Sequence, residues 1–246
     1  GEQGWQGLWG APIDARGEGI WDPQPGGVGL MVRRGWPVRR VPMDMSCPAT
    51  ERLWRSGRFV HAHLCLAEGA VVVNILVVYG VSSNPRLNAE LWASVGEYKA
   101  RIGSAPCLVC ADFNFDLGSR SLYPVTLLQE VMAGALVDLD DMSARVEGRD
   151  PLCAYQAGGG RPTRIDGVLA DPRLAGALTR VRIAGGVELP GHRAVVYELD
   201  LEAPAQRVSK MRKFPELQAQ PWDEEDKEAE ERMSLLTEEQ KEKSSP

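Results

Sequence analysis

Apolar residues in this chain come mostly in runs of strand length, interrupted by two segments with helical spacing. The longest run, residues 70–78, reads Ala-Val-Val-Val-Asn-Ile-Leu-Val-Val and ends in Tyr79-Gly80. Near-continuous apolarity of this kind predicts a central strand covered on both faces. Residues 106–111 predict a second buried strand, opened by Pro106. Further strands are expected over 27–32, 38–41, 59–66, 163–170, 178–183 and 194–201. In residues 59–66, alternation puts Phe59, His61, His63 and Cys65 on one face, which is read as half-solvated. Residues 88–102 carry Leu91, Trp92, Val95, Tyr98 and Ile102 at spacings of three and four, predicting a helix with Asn88 as N-cap. Residues 122–134 predict a second helix with Leu127, Leu128, Val131 and Met132 inward. Residues 136–139 lead into what reads as a polar, acidic loop through Arg149. Buried strands with two long helices place the chain in the α/β class, without choosing among α/β folds.

Both ends depart from this pattern. Residues 1–26 are irregular and Gly/Pro-punctuated, with Trp5, Trp9 and Trp21 interleaved. The tryptophans are expected to pack onto the core, the other use being a stack on a nucleic-acid base. Beyond Pro204 the chain turns charge-dense and poor in apolar residues, so it cannot bury enough to fold alone. The expected organisation is a domain over 1–203 and a charged linker or frayed helix over 204–246.

Composition changes this picture little. The 246 residues are 43% hydrophobic and 25% charged, as in a globular protein. The net charge of −6 lies in residues 221–246, where ten acidic residues face four basic ones. The rest of the chain is neutral, so the acidic average says nothing about partners of the folded part. Arg33, Arg34, Arg39, Arg40, Arg52, Arg55 and Arg58 crowd the first quarter. They suit either a phosphate-bearing partner or a set of solvated strand edges. Five cysteines without framework spacing fit a reducing, intracellular compartment. No apolar run is long enough for a membrane span. The chain opens Gly1-Glu2-Gln3 with no Met and no signal-peptide pattern, so a fragment of a longer protein is expected.

The densest chemistry follows the second buried strand, in Ala111-Asp112-Phe113-Asn114-Phe115-Asp116. A carboxylate can hold a divalent cation or accept a proton, and a carboxamide can donate to a phosphate oxygen. The same residues also suit an Asx-rich turn. If the strand persisted, Asp112 and Asn114 would share a face. Tyr79 closes the central strand as either an anion donor or a core phenol. Asp166 interrupts an apolar strand and needs a partner. His192 stands in the turn Leu189-Pro190-Gly191-His192-Arg193. His61-x-His63 could bind a metal but lacks a carboxylate in its strand, which favours a plain sheet face. Cys107 and Cys110 fall on opposite strand faces, so the pair is read as packing rather than as a metal or redox site.

Taken in order, Gly26-Gly27-Val28-Gly29-Leu30, Val77-Val78-Tyr79-Gly80, Ala111-Asp112-Phe113-Asn114, Arg164-Ile165-Asp166-Gly167-Val168-Leu169 and Gly191-His192-Arg193 resemble the endonuclease/exonuclease/phosphatase family. Within it, the endonuclease domains of non-LTR retrotransposons look nearest. The resemblance implies a four-layered α/β sandwich, two mixed β-sheets face to face with helices outside, incomplete here at the N-terminus. It implies Mg²⁺-dependent phosphodiester hydrolysis, with DNA as partner, no membrane, a nuclear setting and a following reverse-transcriptase domain. By the family pattern His192 contacts the scissile phosphate or manages a proton, held by Asp166. Asp112 positions the water and holds the metal weakly, and Asn114 and Tyr79 stabilise charge on phosphorus. Two departures stand out. The family's Asn and its metal-binding Glu, borne on its first strands, have no equivalent here, and Gly191 replaces the usual Asp before the His. A non-catalytic relic or interaction domain, or a phosphatase of inositol phosphates or other small esters, is therefore also compatible with the sequence.

Overall fold

The computed structural model describes residues 4–10, 27–65, 71–82, 84–156 and 158–201. The tail expected from residue 204, and Trp21, lie outside these residues.

Strand β5 (Val71–Tyr79) is central, as its apolar run requires. It bonds β4 (Phe59–Cys65) antiparallel on one side and β6 (Cys107–Asp112) parallel on the other. With β3 (Val38–Arg40), β8 (Asp166–Ala170) and β7 (Val137–Asp138) they form one six-stranded mixed sheet, in the order β3-β4-β5-β6-β8-β7. One face meets helices α1 (Pro48–Arg55), α2 (Pro85–Lys99) and α3 (Val125–Met132). There Leu76, Val78, Leu91, Trp92, Val109 and Phe113 form the main core. Over the other face lie two antiparallel ribbons, β1 (Trp5–Trp9) with β2 (Gly29–Arg33), and β9 (Leu178–Leu189) with β10 (His192–Leu199). Leu8 and Val32 pack on Val60 and Ala62, while Tyr197 and Leu199 pack toward Val168 and Ala170. The layers are those of the expected sandwich, with the second sheet present among the described residues as two separate ribbons.

Several local expectations are corrected. Helix α2 starts earlier, capped by Asn84, whose side chain accepts from the amides of Arg86 and Leu87. Asn88 is buried instead, accepting from the Val81 amide and donating to the Phe113 carbonyl, both at 3.0 Å. In α3, Leu127 is buried but Met132 is exposed. The acidic stretch expected as a loop forms α4 (Leu139–Glu147). Asp138 caps it, acids fill its first turn and Gly148 ends it in the left-handed region. That is what a helix terminus needs, and a loop reading of the same charges overlooks it. Helix α1, opened by Pro48, carries no expectation from the sequence pattern. Trp5 and Trp9 do not pack onto the core but stay 61% and 62% exposed. Cys107 and Cys110 do face opposite sides of the sheet, both as free thiols. No helix among the described residues is long and apolar enough to cross a membrane.

Candidate active site

The sheet register assembles the site. Tyr79 pairs with Asp112 across β5–β6, and Asp112 pairs with Asp166 across β6–β8. Residues in register on neighbouring strands share a face, so the three polar side chains form a row across three strand ends. His192 opens β10 and reaches this row from the ribbon above, its Nδ1 2.7 Å from Asp166 Oδ2. With Nδ1–H donating to that carboxylate, the imidazole is oriented and Nε2 carries the free lone pair. Among the described residues nothing bonds Nε2, and the side chain is 31% exposed. The Tyr155 ring packs against the imidazole at a centroid distance of 4.6 Å.

Asn114 reaches the site by a route that strand periodicity does not supply. Strand β6 stops at Asp112, and Asn114 has φ +53°. Its amide donates to Asp112 Oδ1 at 3.0 Å and its Nδ2 to the Gly80 carbonyl at 2.8 Å. Expecting Asp112 and Asn114 to share a face because the strand continues is thus mistaken, though both border the same corner. The Asx turn and the site are one structure here. Asp116 faces the other way, accepting from the amides of Gly118 and Arg164.

Burial pushes the Asp112 carboxyl up to about 6, and the neighbouring Asp166 charge adds to this. The Asn114 amide, His192 and Arg58 pull in the opposite direction. One ligand atom from each of Asp112, Asp166 and His192 lies within 4.8 Å of the other two. Two carboxylates confined together, one strained toward protonation, make a donor set that a hard divalent cation relieves. Since His192 Nδ1 is engaged by Asp166, the oxygens of Asp112 are the freest ligands, with Asp166 shared. The residues present therefore fit a divalent ion, held by few protein atoms.

Two supporting arginines were read from the sequence only as members of larger groups, Arg58 in the early arginine cluster and Arg164 in the motif around Asp166. Arg58, buried at the start of β4, donates to the Gly80 carbonyl at 2.9 Å and lies 4.6 Å from the Tyr79 ring centroid. Arg164, also buried, pairs with Asp138 at 2.7 Å and anchors the entry to β8 just before Asp166. The signal for both is an arginine beside an apolar strand. Gly191 has φ +75°, and a Cβ there would meet Tyr155 at 3.1 Å. An Asp at this position would therefore be strained and would press on the ring that packs against His192. His61 and His63 do not form a metal site. His61 is 2% exposed, with Nδ1 2.8 Å from the Tyr98 hydroxyl and Nε2 3.0 Å from Asn74 Oδ1. The expected half-solvated face is instead part of the core.

No protein-family model and no curated protein matches the sequence. Solved structures do. The 3′-5′ exonuclease (NExo) of Neisseria meningitidis is 19% identical with a TM-score of 0.54, over 80% of each chain. An endonuclease/exonuclease/phosphatase family protein of Bacteroides thetaiotaomicron is 14% identical with a TM-score of 0.53, over 81% of this chain and 75% of the other. The mannosyl-6-phosphatase Bt3783 of the same organism is 14% identical with a TM-score of 0.52, over 80% and 77%. At these identities the likeness is one of fold.

Proposed function

We propose, from the endonuclease/exonuclease/phosphatase fold and the row of polar strand ends, that the chain is part of a Mg²⁺-dependent phosphodiester hydrolase acting on DNA. The observation that carries this reading is the oriented imidazole. His192 donates to Asp166 through Nδ1 in the cluster it forms with Asp112, and among the described residues nothing bonds Nε2. In the reaction, Nε2 contacts the phosphate or exchanges a proton with it. Asp112 accepts the proton of the attacking water and orients its lone pair. The Tyr79 hydroxyl and the second N–H of the Asn114 amide donate to phosphate oxygens as their charge grows. Mg²⁺, when bound by Asp112 and Asp166, supplies further charge stabilisation at phosphorus.

The chain is further proposed to be a fragment. Among the described residues, strand β2 pairs with β1 alone, and β10 pairs with β9 and, only at its first residues, with the segment around Tyr155. Between them a cleft of about 640 Å³ opens over Ile75, Leu108, Cys110 and Val168, with Asp112, Asp166 and His192 in its wall. A strand laid in this cleft would join the ribbons and could deliver the missing Glu. A non-LTR retrotransposon parent, with a reverse-transcriptase domain following and a nuclear location, is the setting that the motifs favour. Gly191 favours the second reading, a non-catalytic relic on the same fold. A phosphatase of small phosphate esters is the third, and the phosphatase among the similar folds supports keeping it.

The test is a Mg²⁺ titration of nicking on supercoiled and abasic DNA, with inositol phosphates as competing substrates. Weak, metal-saturable cleavage that rises when an upstream Glu-bearing strand is added, and that disappears in His192→Ala, supports the nuclease reading. Release of phosphate from the small esters alone supports the phosphatase. No hydrolysis with or without the added strand supports the relic.

A further inference from the structure

The bond between Asp166 and His192 joins two sheets, and a short segment of the chain bridges the same gap. Tyr155 exchanges both backbone bonds with Thr163, three residues before Asp166, at 3.2 and 2.8 Å. On the other side of the segment, the Arg193 amide donates to the Ala154 carbonyl at 2.7 Å and the Gln156 amide to the Gly191 carbonyl at 2.8 Å. These two bonds flank an antiparallel pair of Tyr155 with His192 that exchanges none itself. In a pair of that kind the two side chains leave the backbone on one face and at their closest approach. The Tyr155 ring accordingly meets the imidazole at a centroid distance of 4.6 Å, tilted by 53°. Gly191 leaves room for the ring, since a Cβ there would lie 3.1 Å from Tyr155 Cε2.

We propose that Tyr155 is a positioning residue for the His192 imidazole, acting through its ring rather than its hydroxyl. The hydrogen bond from Nδ1 to Asp166 fixes one point of the imidazole and leaves the broad torsion of the ring about its side-chain bond open. A flat ring packed against it supplies the second contact, which fixes the plane and hence the direction of Nε2. The backbone bonds hold that contact in place, because they tie Tyr155 to the strand entries that carry both Asp166 and His192. The role rests on the hydrolase reading, in which Nε2 meets the phosphate, and adds to it a residue that neither charge nor a polar strand end marks. Misplacing a reacting group by about 1 Å costs on the order of 10²-fold in rate. The order of the imidazole is measurable even in a chain that hydrolyses nothing.

The experiment is heteronuclear NMR of the His192 ring in the 246-residue chain, in chelator and at one alkaline pH, beside turnover of DNA with Mg²⁺. The unaltered chain and Tyr155→Phe should show one tautomer, protonated at Nδ1, with that proton exchanging slowly. Tyr155→Ala and Tyr155→Leu should move both ring nitrogens toward mixed-tautomer values and speed the exchange, while the amides of Gln156 and Arg193 keep their protection. Gly191→Ala should loosen the ring in the same way and add nothing in the Tyr155→Ala background. Where DNA is hydrolysed, kcat should fall about 10–100-fold in Tyr155→Ala with KM little changed, and recover in Tyr155→Phe. A single Nδ1 tautomer kept by both Tyr155→Ala and Tyr155→Leu overturns the proposal, as does its loss in Tyr155→Phe. Loss of the Gln156 and Arg193 protection in both truncated variants also overturns it and marks a purely structural residue. Loosening of the ring in a chain without hydrolysis supports the positioning role and counts against the hydrolase reading alone.

Discussion

Two histidines on the same sandwich show what makes such a side chain chemical. His61 has both ring nitrogens engaged, by Tyr98 and Asn74, inside the core. Burial holds it down to about 4, so it is neutral near physiological pH. His192, in the wall of a cleft, has one nitrogen engaged by a carboxylate and, among the described residues, no partner on the other. The first is spent on structure and the second is held ready for an exchange. A histidine with every valence satisfied is a strut, and one with a single valence left open is a tool.

That contrast can be broken by substitution. His192→Ala should lower the proposed hydrolysis by about 10²–10⁴-fold while moving the melting temperature little. His61→Ala should do the reverse. It leaves the Tyr98 hydroxyl and the Asn74 amide without their buried partner, and should cost about 3 kcal/mol in denaturant unfolding with turnover per folded molecule retained. A matched loss of both properties in either variant would erase the distinction.

The carboxylate row sharpens it further. Asp112 has a folded-state pKa of about 6 against an ordinary 3.8, so between these values the native state binds the extra proton. Its contribution to stability is present below the lower value and lost as pH rises through the upper one. Asp112→Asn should therefore stabilise the metal-free chain by up to about 3 kcal/mol near neutral pH, fading at acid pH, while removing activity. His61 acts with the opposite sign. Its stability contribution is present above 6.5 and lost as pH falls toward about 4. Unfolding followed across this window in the two variants should give slopes of opposite direction. Smallest is Gly191→Ala, which places a Cβ at φ +75° and 3.1 Å from Tyr155. It should cost about 1 kcal/mol and shift the His192 ring resonances in NMR. An unchanged His192 spectrum would mean that Tyr155 does not hold the imidazole.

What the sequence determined by itself is the central strands and several of the polar residues that end them, but not β1, which lies in a segment read as irregular, nor β7. Apolar runs at 70–78 and 106–111 are local signals, and they appear as β5 and β6 in the middle of the sheet. Asp166 was legible because a charge within a buried strand demands a partner, Asp112 because a carboxylate and a carboxamide end a strand together, and His192 through the family resemblance. What only the tertiary structure decided is which partner. The Asp166–His192 bond joins residues on two different sheets, and the Tyr79–Asp112–Asp166 row depends on register between strands distant in sequence. The fates of Asn88 and His61 were equally hidden, because a polar residue of helical or strand period looks the same whether it caps, faces water or closes a buried network. Trp5 and Trp9 show the opposite failure. Their apolarity argued for the core, but the period of two on β1 gave that place to Leu8 and turned both indoles outward. Local pattern fixes which side chains share a face, whereas only packing against other elements decides which face is buried.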